Sequence, residues 1–412
     1  MIPSAENDEV LRLPGEDQSA RVAMPRETLF GSGSLDHVGE AAAELGGRAF
    51  LAVGPESMVS NETLERVSKE LLNHAVNPIV FRLAEPQPDI VTVDCAAEKC
   101  TEAECDVVVG LGEAGIIDAA RFVSILCGSG ADSIRPFLAG ERSIETRTLP
   151  LIAIPAISVT GAEVSGTAFI IDKQDRVIWR LSDRHIVPET VIIDPGLTLQ
   201  ASPAATAVAG ISAFAHALEA FVSLKSNQLT DTLALDAVRL VGQNLVSAVR
   251  RGTDKDAKTG LCLAAYLAGA AASGAGLGVA NLLAHPLGMM LESSYGEALA
   301  IVLPSTIKFN QDHVCDKYGR VADLLATETR RGTQQLSDLL ASIYDDIGIH
   351  DIILQYRMNY GTIEETLSSL EKSGARAETN PRPLDRAGLV RILRRAREYV
   401  HSRRLSRAPK AT

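Results

Sequence analysis

The sequence predicts a chain in two parts, an α/β N-terminal domain built on a parallel sheet and an all-α C-terminal domain. Short, β-branched apolar runs alternate with amphipathic stretches through the first half, the pattern of strands joined by crossover helices. Near residue 200 the strand signals stop, and Ala- and Leu-rich helical patterns continue almost to the end. The 412 residues exceed one ordinary core and suit two domains.

Residues 1–25 are polar and show no period, which reads as a flexible extension, with a docking or targeting peptide as the second reading. Apolar runs at 48–54, 78–83, 106–112 and 149–156 follow, with helical patterns at 62–73 and 90–100 between them. Two more runs, 166–172 and 177–181, flank the turn-like 173–176 and predict a hairpin at the edge of the first domain. A last short strand at 190–194 is punctuated by Pro195 and Gly196. The expected boundaries are therefore 26–196 for the α/β domain and 197–402 for the helical domain, with a frayed basic tail at 403–412.

Composition narrows the function. Apolar residues make up 46% and charged residues 22%, a globular profile. A net charge of −12 argues against nucleic acid, whose phosphates need a basic face, and leaves a small molecule or another protein as partner. Residues 261–290 are weakly polar but broken by Asn281, His285 and Pro286, so they read as a buried helix pair and no membrane span is expected. The N-terminus lacks a basic start and an apolar centre, so the expectation is a cytoplasmic protein. Of the six cysteines, Cys95, Cys100 and Cys105 repeat every five residues, a step that scatters side chains around a helix, and all six read as reduced thiols.

The stretch VIIDPGLTLQASPAATAVAGISAFAHALEAFVSL, beginning at residue 191, resembles the segment that opens the helical domain of iron-type (group III) alcohol dehydrogenases. Further similar motifs follow the same order: FGSGSL at 30–35, GLGEAGIIDAAR at 110–121, LPLIAIPAISVTGAEVSG at 149–166, GLGVANLLAHPLG at 276–288, GEALAIVLP at 296–304 and TNPRP at 379–383. Together they cover residues 24 to 400, and the nearest flavour is the ethanolamine-utilisation branch. The resemblance implies the dehydroquinate synthase-like, iron-type alcohol dehydrogenase fold: a dinucleotide-binding-like domain, a helical domain carrying one divalent metal, and a cleft between them. It also implies a homo-oligomer.

In that family one aspartate and three histidines hold the metal, which acts as a Lewis acid on the alcohol oxygen. Transferred position by position, the aspartate becomes Ser212, the first histidine is His216, the second becomes Asn281, and the last becomes Tyr295. His216 alone survives. Neutral oxygen donors hold Fe²⁺ or Zn²⁺ far less tightly than carboxylate and imidazole, so no tightly bound metal is expected. His285, four residues after Asn281, is retained and is the candidate catalytic group, as a proton relay or hydrogen-bond donor, or else a leftover cleft histidine.

The nucleotide motifs differ as well. The family's Gly-Gly-Gly-Ser turn, aligned on Asp118, here reads Gly112, Glu113, Ala114, Gly115, which places an anion where phosphate is expected. The family's threonine-rich strip runs here from Pro155 to Glu163 and keeps Thr160 and Gly161. Gly54 stands where the family often has a ribose-binding aspartate. Gly112, Gly115, Asp118, Thr160 and Gly161 remain as candidate NAD(P) contacts of weakened affinity. The expectation is an NAD(P)-linked alcohol or aldehyde oxidoreductase weakened or inactive in that chemistry. The alternative is a pseudoenzyme that binds a protein partner or scaffolds an active paralogue.

Overall fold

The computed structural model describes residues 21–144, 148–156, 159–325 and 335–407. Most of the N-terminal extension, residues 157 and 158 of the threonine-strip counterpart, and the tail beyond residue 407 lie outside them. In chain order the first domain contains β1 (Glu27–Phe30), α1 (Val38–Ala43), β2 (Arg48–Val53), α2 (Asn61–Asn73), β3 (Asn77–Arg82), α3 (Ile90–Glu102), β4 (Val107–Gly112), α4 (Ala114–Ser129), α5 (Arg135–Leu138), β5 (Leu151–Pro155), β6 (Thr167–Asp172), β7 (Val177–Ser182) and β8 (Thr190–Ile193). The second contains α6 (Pro203–Val222), α7 (Gln228–Arg250), α8 (Lys255–Ala275), α9 (Val279–Leu291), α10 (Tyr295–Asn310), α11 (Cys315–Leu325), α12 (Leu336–Asp346), α13 (Ile349–Ile353), α14 (Tyr360–Ser373) and α15 (Arg386–Arg407).

Six strands form one parallel sheet in the order β1-β8-β5-β4-β2-β3. β4 and β5 are buried at every position, which explains why they read as continuous apolar runs without alternation. One sheet face packs on α1 and α2 through residues such as Leu51, Val109, Val67 and Leu71. The other packs on α3 and α4 through Phe50, Val108, Val93 and Phe122. The chain leaves β2 for β3 on one side and returns to β4 on the other. Loops diverge at such a reversal and open a crevice beyond the strand C-termini.

β6 and β7 form the expected hairpin, but as a separate antiparallel pair and not as an extension of the six-stranded sheet. Its alternation sorts side chains to two faces. Ala168, Ile170, Trp179 and Leu181 pack into the first domain, while Thr167, Phe169, Arg180 and Ser182 turn to the cleft. Arg121, fully buried on α4, anchors this region. Its guanidinium donates to Asp118 Oδ1 at 2.7 Å, to the Ala162 carbonyl at 2.7 Å and to the Ser165 carbonyl at 2.8 Å.

The helical domain is centred on α6, which is long and apolar enough to cross a membrane by composition, with a mean hydropathy of 1.5, yet 83% of that stretch is buried inside the protein. It packs against α7 and α8 in one large apolar core. α8 and α9 are the helix pair expected at 261–290, bent by 110° at the break between them. Two expectations change. α15 runs to Arg407, so residues 403–407 of the basic tail continue a helix where fraying was expected, while 408–412 lie outside the described residues. The five-residue cysteine step parts the exposed Cys95 from the buried Cys100 as expected, but it does not carry on to Cys105, which is off the helix. Cys100 ends up beside Cys105, which lies past the end of α3, and beside Cys127 of α4, and those two neighbouring thiols push the Cys100 thiol up.

Candidate active site

A cleft of about 460 Å³ lies between the two domains. Its floor is the C-terminal edge of the sheet, its side wall the hairpin, and its roof the helices α6, α8 and α9 with the first residue of α10.

Local sequence signals place the central residues. Glu219 lies one turn after His216 on α6, so the two share a face. Its carboxylate accepts from the amides of Gly278 at 3.0 Å, Ala280 at 2.7 Å and Asn281 at 3.2 Å, which caps the N-terminus of α9. Asn281 is thereby fixed in the first turn of α9. Ser294 and Glu297 form a capping box that starts α10 at Tyr295.

Three of the four family metal positions come together as a hydrogen-bonded chain. His216 Nδ1 lies 2.9 Å from the Thr160 carbonyl, and His216 Nε2 lies 2.8 Å from the Tyr295 hydroxyl. Asn281 Nδ2 donates to the same hydroxyl at 2.8 Å. A carbonyl only accepts, so Nδ1 carries the imidazole proton and Nε2 accepts from Tyr295. Tyr295 therefore donates to His216 and accepts from Asn281. The fourth position, Ser212, stands apart: its hydroxyl donates to the Val208 carbonyl of its own helix at 2.9 Å and it does not line the cleft.

The electrostatics follow from burial. Desolvation lowers His216 to about 4, with the Thr160 carbonyl opposing, so its ring is neutral near pH 7. Desolvation first, then the neighbouring His216 and Arg180, lowers His285 to about 3. Burial also holds the Tyr295 hydroxyl well above the ordinary phenol range, so it stays protonated. His285 stacks on Phe169 with ring centroids 3.5 Å apart and lies 4.3 Å from the Tyr295 ring. Its Nδ1 is buried without a hydrogen-bond partner.

A divalent ion fits these donors poorly. They include no carboxylate at the ligand positions, both nitrogens of His216 are engaged, and the Tyr295 oxygen is a neutral phenol. Glu219, the nearby buried acid, has both oxygens committed to backbone amides. Among the described residues, no group of three or more His, Cys, Asp or Glu side chains is arranged to hold a metal ion.

The expected nucleotide contacts lie along the sheet side of the cleft, with Thr160 and Gly161 reaching the helical domain at His216 and Gly269. Gly115, Asp118, Thr160 and Gly161 line the cleft, while Gly112 sits behind them. Gly112, at φ 155°, turns the chain from β4 into α4, and a Cβ there would meet the Ile116 side chain at 2.8 Å. Gly115 packs against the Pro86 carbonyl, so its bareness has a packing reason of its own. Asp118 accepts from Arg121 and, at 3.0 Å, from the Phe169 amide. Burial pushes Asp118 up to about 6 despite Arg121. Its two oxygens thus hold the hairpin on α4. Gly161, at φ 85°, passes directly over Gly269 of α8 where the domains meet. Sequence reasoning did not find Glu219, Arg121 or Arg180, although the alternation along β7 places Arg180 and Trp179 on opposite faces.

Residues 25–195 match the family model described as iron-containing alcohol dehydrogenase, and residues 206–397 match that of its C-terminal domain. The chain is 31% identical to long-chain-alcohol dehydrogenase 1 of Geobacillus thermodenitrificans over 74% of this chain and 76% of that one. It is 29% identical to the probable alcohol dehydrogenase EutG of Escherichia coli over 78% and 82% respectively. Among solved structures, an archaeal halo-thermophilic alcohol dehydrogenase from a Red Sea brine pool superposes with a TM-score of 0.85 at 25% identity, covering 94% of this chain and all of that one.

Proposed function

This chain belongs to the iron-containing alcohol dehydrogenase family, and from that premise we propose that it is a nicotinamide-dependent alcohol or aldehyde oxidoreductase that works without a tightly bound metal. The observation that carries this reading is the chain Asn281–Tyr295–His216–Thr160, in which the groups at three of the four expected ligand positions bind one another.

In place of a Lewis acid, the second Nδ2 hydrogen of Asn281 polarises a carbonyl oxygen by hydrogen bonding, while the Tyr295 hydroxyl, whose own proton goes to His216, holds that amide in position. The raised pKa of Tyr295 keeps its proton on the bond to His216 and makes it a reluctant proton source, so turnover is slow compared with metal-loaded relatives. His285 is neutral over the working pH range. It forms the apolar lid of the site through its stack on Phe169 and does not act as a charged acid. Ala114 and Gly115 at the sheet edge would receive a nicotinamide cofactor, with affinity reduced by the side chains on the turn at 112–115.

The test is oxidation of NADH and NADPH with a panel of aldehydes, using protein stripped with EDTA and protein supplied with Fe²⁺ or Zn²⁺. Equal turnover in both, reduced about 10- to 100-fold by Tyr295→Phe, supports the reading. Turnover that appears only with added metal sinks it.

A second reading is favoured because the Tyr295 network leaves few of its hydrogen bonds open to a substrate: a non-catalytic member that acts as a homo-oligomer or as partner of an active paralogue. It takes over if neither condition gives turnover and light scattering or co-purification detects a stable assembly.

A further inference from the structure

The cleft of this acidic protein is lined by cations. The chain carries a formal charge of −12, yet Arg21, Arg180, Arg184 and Arg376 all border the cavity. Two carboxylates border it, and both are engaged. Asp118 is bound to the buried Arg121, and Asp183 accepts from the His185 amide at 2.8 Å and lies 2.7 Å from His185 Nδ1.

Arg180 holds the position nearest the reaction centre. It is the direct cross-strand partner of Phe169, so the two side chains leave the hairpin side by side on the cleft face. Phe169 stacks on His285, which lies 4.3 Å from Tyr295. Among the described residues Arg180 makes no hydrogen bond or ion pair, and the exposed Glu378 is the acid that acts on it from nearby. The Arg180 side chain is open to solvent on the cleft face, so its five donors are free to meet an oxyanion in bidentate fashion. Arg184, on the same hairpin arm, lies beside the His185 ring, and Arg21 and Arg376 sit farther along the rim.

We propose that the substrate of this site carries a carboxylate at the end remote from its reacting carbonyl or alcohol, and that Arg180 docks it. The reading deepens the oxidoreductase assignment above and rests on it for the reaction, though not for the binding. Cofactor phosphates are the other source of oxyanions in such a cleft. They are expected at the N-terminus of α4, around Ala114 and Gly115.

Isothermal titration of the full chain with 4-oxobutanoate and with butanal compares a charged and an uncharged aldehyde of equal length. A parallel titration uses NADPH. The expected result is that 4-oxobutanoate binds at least about tenfold more tightly than butanal. Arg180→Gln should remove that preference while weakening NADPH by less than about twofold. The wild-type preference should also shrink as salt is raised from about 0.05 to 0.5 M. Equal affinity of the wild type for the two aldehydes overturns the proposal, whether or not the variant folds. So does an Arg180→Gln protein whose main loss is in NADPH binding, which would assign Arg180 to the cofactor phosphates. Carboxylate preference without turnover would uphold this inference while defeating the catalytic reading.

Discussion

A Cβ on Gly269 would overlap the carbonyl group of Gly161, so the two domains touch backbone to backbone at this crossing. Gly161 adds φ 85°, a conformation that residues with side chains rarely adopt. Neither neighbour is a flexible side chain that could move aside. Gly269→Ala is expected to destabilise the protein by about 3 kcal/mol, whereas Gly252→Ala, which meets nothing within 4 Å, should fall within about 0.5 kcal/mol of wild type. Urea denaturation of both variants checks this, and a neutral Gly269→Ala would mean that the domains pack more loosely than the structure shows.

Asp118 and Arg121 form a buried pair whose surplus donors hold the 162–165 loop. Removing one charge strands the other. Asp118→Asn should cost about 3–5 kcal/mol, and Arg121→Met in the same chain should recover part of that loss. Hydrogen exchange gives a local signature: the Phe169 amide should lose protection first, because its acceptor is the altered side chain.

His285 and His216, held near 3 and 4, make the cleft acid-sensitive. Their folded pKa values lie below the ordinary 6.5, so the unfolded chain takes up protons as pH falls below 6.5 that the folded chain refuses. Their contribution is therefore intact above pH 6.5 and is lost progressively towards pH 3–4. The raised carboxyls Asp118, Glu163 and Glu219 act in the opposite sense, so a difference between variants is the clean measurement. His285→Phe keeps the stack on Phe169 and deletes an unpartnered nitrogen. It should match or exceed wild-type stability at pH 7.5 and exceed it by about 2 kcal/mol at pH 5. A constant difference between the two pH values would show that His285 protonates freely in the folded protein.

If the replaced ligands are what keep metal out, restoring them should bring it back. Ser212→Asp, Asn281→His and Tyr295→His together with His216 recreate one carboxylate and three imidazoles. Elemental analysis after growth with Fe²⁺ or Zn²⁺ should give close to one ion per folded triple variant and a small fraction of that for wild type. Equal metal in both would refute the metal-independent reading.

The fold was largely legible because its signals are local. The buried runs around Val109 and Ile154, the turn at 173–176 and the capping box at Ser294 all carry their own pattern. β1 carries none: four residues of mixed exposure become a strand only through pairing with β8, some 160 residues away. The site divides in the same way. His216, Asn281 and Tyr295 could be placed by motif and do converge. Ser212, placed by the same motif, turns back onto its own helix. Glu219, Arg121 and Arg180 reach their roles through contacts between distant segments, and no spacing announces those. The thiols of Cys100, Cys105 and Cys127 show the opposite error, because helical periodicity was extended past the point where α3 ends.

The hairpin has one more consequence. Its inner face carries Trp179, the single tryptophan of the chain, back to back with Arg180 and opposite Ile170. Indole emission from the unmodified protein therefore comes from one address, a strand away from whatever docks in the cleft. Unseating of that strand would redden the emission before the rest of the molecule melts, so the protein carries its own optical gauge of the wall that shapes its site.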